Sequence, residues 1–223
     1  MDTLSCSALS LAYRDGERTT YALREVSLSL PPGRFYGIMG PSGSGKSSLL
    51  YLLSGLKRPS AGEVLLGASV LSTLPDSELM RLRRTRFGFV FQQPFLMTYL
   101  TALENIVVAA PKPDKAAQEK AMDLLDGLGL ASMAHKIPSQ LSGGERQRVA
   151  VARAMISDPD VLFADEPTAA LDQANGHRVI EALAAWRSRG TVVIVTHDAA
   201  MVTEADGIIR LRDGRVDSQE EVR

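Results

Sequence analysis

Residues 40–47 read Gly40, Pro41, Ser42, Gly43, Ser44, Gly45, Lys46 and Ser47, the pattern G-x-x-x-x-G-K-[ST]. The setting of this octapeptide constrains the fold more than any other stretch. A short apolar run at 35–39 enters the glycine-rich turn, and Leu49, Leu50, Leu52 and Leu53 follow at helical spacing. The spacing predicts a strand, a loop and then a helix from 46 to about 56. Backbone N–H groups of such a turn point inward and the helix N-terminus adds positive potential, so the loop suits phosphate. Lys46 is expected to reach the β- and γ-phosphates of a nucleotide, with Ser48 beside it, and the Ser47 hydroxyl is expected to ligate Mg²⁺.

The rest of the chain carries the same α/β signature. Val26, Leu28 and Leu30 alternate with polar residues as a half-buried strand does. The runs 161–164 and 191–195 are continuous and apolar, the look of buried parallel strands. Between them, Val179, Ile180 and Leu183 fall at helical spacing over 172–189, and Gly190 closes that helix. Trp186 on it reads as core packing. Residues 208–216 read as a hairpin turning at Asp213-Gly214. From about 94 to 155 the strand pattern vanishes, and Ala117, Ala121, Leu124 and Leu128, then Val149, Ala152 and Ile156, mark helices. The expected organisation is one domain over 1–223, with a core at 1–93 and 157–223 and a helical insertion at about 94–156.

Two further stretches carry chemistry. Residues 161–166 form an apolar run ending in Asp165 and Glu166. Adjacent acids at a strand end point in different directions. Asp165 is therefore placed to hold a Mg²⁺ hydration shell, and Glu166 to orient and polarise an attacking water. Ser142 and Glu145 have the spacing of a capping box at a helix head. Capping leaves Gly143 and Gly144 unexplained, because glycine is costly there unless backbone must approach a ligand closely.

In order and spacing these motifs resemble the P-loop, signature (L-S-G-G-E at 141–145) and Walker B elements of the ATP-binding cassette (ABC) ATPases, over nearly the whole chain. The resemblance implies a P-loop NTPase (RecA-like) core with an N-terminal antiparallel β region and an inserted α-helical subdomain. It implies ATP and Mg²⁺ as ligands, and an ATP-bound homodimer in which Ser142, Gly143 and Gly144 of one copy touch the γ-phosphate on the other copy's Lys46. Gln92, in F-V-F-Q-Q, resembles the Q-loop glutamine that senses Mg²⁺ near the membrane partner, with Gln93 as its neighbouring candidate. His197 resembles the switch histidine at the γ-phosphate, Asp172 the D-loop aspartate, and Tyr13 the aromatic residue that stacks on adenine. His135 and His177 match no motif and read as surface residues.

A-D-E-P-T at 164–168, R-F-G-F-V-F-Q-Q at 86–93 and L-T-A-L-E-N at 100–105 are similar to a subgroup serving lipoprotein release, macrolide export and cell division. That subgroup has Gly-Asn where this chain has Ala169-Ala170, although Asp172 is retained. The implied protein is a peripheral ATPase subunit on the cytoplasmic face of the inner membrane, bound to separate transmembrane permease subunits. From a sequence that stops at Arg223, the expectation is a chain without a fused membrane domain or the long C-terminal regulatory domain of some importer ATPases. An importer ATPase has nearly the same motifs. A soluble cassette of DNA repair or translation usually has two cassettes or a coiled-coil insertion, and a P-loop kinase or GTP-binding module lacks the signature segment.

Composition agrees with these expectations. No apolar run approaches the roughly 18 residues of a membrane span, and the single cysteine, Cys6, excludes an internal disulfide. A net charge of −1 gives no basic surplus for nucleic acid. The arginines at 81, 83, 84 and 86 read as a solvated helix face.

Overall fold

The computed structural model describes residues 1–16 and 18–221. The expected end at Arg223 lies outside the described residues. Strands β1 (Leu4–Asp15) and β2 (Arg18–Leu30) pair antiparallel, and Val26, Leu28 and Leu30 are buried as their alternation requires. With β4 (Ala61–Leu66) and β5 (Ser69–Val70) they form a four-stranded antiparallel sheet ordered β2-β1-β4-β5. Apart from 26–30, these strands were not legible locally.

The second sheet contains β3 (Phe35–Met39), β6 (Phe87–Val90), β7 (Val161–Asp165), β8 (Thr191–Val195), β9 (Gly207–Arg212) and β10 (Arg215–Glu221), in the order β10-β9-β3-β8-β7-β6. Every neighbouring pair is parallel except the terminal hairpin β9–β10. Continuous apolar runs suit it because both faces are covered. Val161, Phe163, Val193 and Val195 pack towards the antiparallel sheet, and Leu162, Ala164, Val192 and Ile194 pack towards helices on the opposite face.

Helix α1 (Lys46–Leu53) is too short to persist alone in water. Leu49, Leu50, Leu52 and Leu53 are each at most 1% exposed, and burial at about 2 kcal/mol per leucine fastens the helix beside the parallel sheet. It ends at Leu53 and not near residue 56, because Gly55 turns left-handed at φ 64° and Leu56 is exposed. Helix α2 (Asp76–Arg86) corrects the expectation of a merely solvated arginine face. Arg83 donates to the Gly55 carbonyl at 2.6 Å, and Arg86 clasps Asp2 and Asp160. Arg81 and Arg84 are exposed.

Among the described residues, 94–155 contain helices and no strand: α3 (Ala102–Val107), α4 (Lys115–Gly127) and α5 (Gly143–Met155). Helix α5 belongs to two cores at once. Val149 and Ala152 face the helical cluster, whereas Val151, Ala154 and Met155 pack with β7 and β8. Helix α6 (Gln173–Ala185) buries Val179, Ile180 and Leu183, and Trp186 follows at 5% exposure with its indole N–H on the Pro159 carbonyl at 3.2 Å. Burial pushes the Cys6 thiol up to about 11, which keeps it protonated and inert.

Candidate active site

Strands β3, β7 and β8 are parallel neighbours, so their carboxyl ends open on one edge, where α/β sheets bind ligands. The loop 40–45 leaves β3 there. It is braced by two distant segments. The backbone of Ala22 in β2 lies 2.4 Å from where a Cβ on Gly45 would sit, and Gly45 has φ 99°. The Gly214 N–H of the β9–β10 turn donates to the Ser44 carbonyl at 3.1 Å, and the Arg24 N–H donates to the Gly214 carbonyl at 2.8 Å.

The loop has two unmet needs. Lys46 is 8% exposed, and its ammonium donates to the carbonyls of Gly40 at 2.9 Å and Pro41 at 3.0 Å, with no salt-bridged carboxylate among the described residues. The Ser44 hydroxyl is buried without a partner. A buried cation without a counter-ion and an orphaned hydroxyl are both satisfied by an anion, so the loop fits a polyphosphate.

Asp165 closes β7 next to this loop. The Ser47 hydroxyl donates to its Oδ1 at 2.8 Å and the Tyr51 hydroxyl to its Oδ2 at 2.7 Å. Burial, with the carboxylate alongside, pushes the Tyr51 phenol up to about 12, so it remains a donor. Hydroxyl and carboxylate oxygens are the hard donors that Mg²⁺ takes when phosphates and water fill its other positions. Ser47 and Asp165 therefore fit that ion.

Glu166 turns sharply. Its φ of 45° is left-handed, a strained conformation for glutamate, and its N–H donates to the Val195 carbonyl at 2.9 Å. The bend separates its carboxylate from that of Asp165. His197, just past β8, places Nδ1 3.0 Å from both Glu166 oxygens. A carboxylate only accepts, so Nδ1–H donates and Nε2 is uncommitted. Glu166, His197 and Asp172 line one cleft of about 380 Å³.

The capping box forms as expected. The Glu145 N–H donates to Ser142 Oγ at 3.2 Å and the Ser142 N–H to Glu145 Oε2 at 2.7 Å, which holds the Glu145 carboxyl below its ordinary range. The two glycines differ in their surroundings. A Cβ on Gly144 would lie 2.8 Å from the Asn175 side chain, whereas one on Gly143 meets nothing within 4 Å. Gly144 thus packs closely on Asn175 inside the chain, whereas Gly143 faces open space.

Asn175 links two motifs. Its Nδ2 donates to Asp172 Oδ2 at 2.7 Å, while its Oδ1 accepts from Arg148 of α5. Asp172 caps α6 by accepting from the Asn175 N–H at 2.9 Å, and that bond lowers its carboxyl. Among the described residues, no hydrogen bond joins 142–144 to 40–47.

Gln92 and Gln93 follow β6, which pairs with β7, and both side chains are exposed. The strip is gripped from α5, where the Gln147 amide donates to the Phe91 carbonyl at 2.9 Å and Arg153 to the carbonyls of Pro94 and Phe95. Tyr13, on β1, is 46% exposed, with Lys57 Nζ 4.8 Å from its ring centroid. Sequence reasoning missed Tyr51, Gln147, Arg148, Arg153 and Asn175. The available signals were the i,i+4 spacing of Tyr51 from Ser47 and the polar positions on the inner face of α5.

A family model described as "ABC transporter" matches residues 23–169. The macrolide export ATP-binding/permease protein MacB of Rhodopseudomonas palustris is 43% identical over 218 residues, covering 96% of this chain but 33% of that relative. The chain thus spans about a third of the length of that curated relative. An uncharacterised ABC transporter ATP-binding protein of Thermotoga maritima is 43% identical over 212 residues, 93% of this chain and 91% of that protein. The dimeric structure of MJ0796, a cassette of Methanocaldococcus jannaschii, superposes with a TM-score of 0.92 at 38% identity over 99% of both chains. A dimeric post-hydrolysis state of the same cassette, bound to ADP and Pi, gives a TM-score of 0.91 at 38% identity and the same coverage.

Proposed function

Because the chain belongs to the ABC transporter family and is an ATP-binding cassette ATPase, we propose that it drives a membrane exporter or mechanotransmission complex handling lipids, lipoproteins, peptides or drugs. One observation carries the reading: a buried Lys46, without a counter-ion among the described residues, stands near the Ser47–Asp165 pair, on a sheet edge that also bears the Glu166–His197 pair. The MacB relative, whose name joins an ATP-binding part to a permease part, supports the transport assignment.

In this reading Lys46 and the loop N–H groups, from Gly40 through Ser48, hold the β- and γ-phosphates, and Tyr13 offers a ring face to adenine. Ser47, Asp165 and Gln92 hold Mg²⁺, which when bound neutralises charge on the phosphate oxygens. Glu166 orients the attacking water and draws its proton, while His197 fixes that carboxylate through Nδ1–H and turns Nε2 to the γ-phosphate. Two copies pair head to tail when ATP is bound, so that Ser142, Gly143 and Gly144 of one copy reach the phosphate on the other copy's Lys46, with Asp172 crossing between them. The dimeric cassette structures support this pairing. Residues 1–93 and 157–223 act as the core and 94–156 as the helical subdomain of one cassette. The assembly is peripheral on the cytoplasmic face of the inner membrane, carried by separate permease subunits. Among the described residues no helix is long and apolar enough to cross a membrane.

The test is to tag the protein, solubilise its native membranes gently and identify what co-purifies. A partner with few spans and a large extracytoplasmic domain is expected. A many-span permease accompanied by a solute-binding protein would overturn the exporter reading in favour of an importer.

A further inference from the structure

Helix α1 grips one carboxylate with two hydroxyls. Ser47 and Tyr51 are four residues apart and so share a helix face, and that face meets the end of β7. Asp165 is only 7% exposed, so little water is available to orient it. A carboxylate rotates easily about its last torsion, which has a broad two-fold profile. Ser47 on Oδ1 alone would leave that rotation free. Tyr51 on Oδ2 stops it.

We propose that Tyr51 is a positioning residue for the magnesium site: its hydroxyl holds Oδ2 of Asp165 and thereby keeps Oδ1 turned to Ser47. This rests on the reading of Ser47 and Asp165 as metal-binding residues and deepens it. The bond falls on the oxygen remote from Ser47, so it leaves the metal-facing oxygen available. Glu166 is set independently, by its own φ and its N–H bond to Val195. Tyr51 therefore bears on metal affinity and not on the water-orienting carboxylate.

The experiment uses Tyr51→Phe, which keeps the ring that packs against the core. ATP binding is titrated against Mg²⁺ and, separately, measured in EDTA. The half-saturating Mg²⁺ concentration is expected to rise about tenfold, as for loss of other outer partners of metal ligands. Affinity for ATP in EDTA stays as in the wild type, and kcat at saturating Mg²⁺ stays within about twofold. An unchanged Mg²⁺ dependence in the folded variant would overturn the proposal. A tighter one would too, since the hydroxyl would then compete with the metal. Wild-type ATP binding indifferent to Mg²⁺ would instead overturn the metal role of Ser47 and Asp165, and this inference with it.

Discussion

His197 Nδ1 lies 3.0 Å from both carboxylate oxygens of Glu166, across a gap of 31 residues in the chain. The histidine side chain is 67% exposed and the glutamate 18%, so the imidazole stands at the cleft mouth and anchors the carboxylate behind it. Two residues assigned separate tasks from the sequence thus form one unit.

Glu166→Gln keeps the size of the side chain and removes its charge. ATP binding should persist, whereas phosphate release should fall by about two to three orders of magnitude. Gel filtration with ATP and Mg²⁺ should then show a trapped dimer. Turnover at the wild-type rate would remove Glu166 from the reaction.

Lys46→Ala takes away the only ammonium in the loop. A charged hydrogen bond to phosphate contributes about 1.5–3 kcal/mol, so the Kd for ATP should rise by roughly tenfold to a hundredfold. Among the described residues its internal partners are two carbonyls, so thermal stability without nucleotide should barely move. Calorimetry of ATP binding and a melting curve check the two halves, and unchanged affinity would sink the phosphate assignment.

The paired glycines of α5 should separate. Gly144→Ala pushes a methyl onto Asn175, and such overpacking costs about 1–3 kcal/mol. Gly143→Ala meets open space and should leave stability equal or up to about 1 kcal/mol higher, since alanine suits a helix better. Its ATPase activity should nevertheless drop, because the methyl occupies the surface offered to the other copy's phosphate. A Gly143→Ala protein with full activity would argue against the composite site.

Acid should loosen the two helix heads. Glu145 and Asp172 are held below their ordinary values of 4.5 and 3.8, chiefly by backbone N–H groups of Ser142 and Asn175. A depressed carboxylate stabilises the fold above its unfolded value, and the contribution fades as pH falls towards the folded value. Wild-type Tm should therefore decline from about pH 5 downwards more steeply than that of the double variant Glu145→Gln/Asp172→Asn. Parallel slopes would show that these carboxylates do not drive the acid transition.

Much of this was legible locally. Lys46 and Ser47 sit where strand–loop–helix chemistry requires them, and Ser142 caps α5 as its spacing with Glu145 demands. Apolar runs such as 161–164 and 191–195 announced parallel strands because both faces of such a strand are covered. The helix past Ser47 was read too long, since Leu56 continues the apolar pattern but follows a left-handed glycine. The packing of Gly144 on Asn175 was not legible, since nothing near it in sequence discloses that contact.

The division has a physical basis. Short-range periodicity, capping and glycine-rich turns are written within a few residues, and so the sequence by itself determined an α/β chain with a phosphate loop, a terminal acid pair and a helical middle. Contacts that depend on which strands become neighbours are not written there. The order β3-β8-β7 decides that Ser47 and Tyr51 meet Asp165 across more than a hundred residues, and that His197 meets Glu166. The Gly214 turn reaches Ser44 only because β9 lies beside β3. Each of these contacts is a hydrogen bond of ordinary length, made specific by a sheet whose order only the whole core could choose.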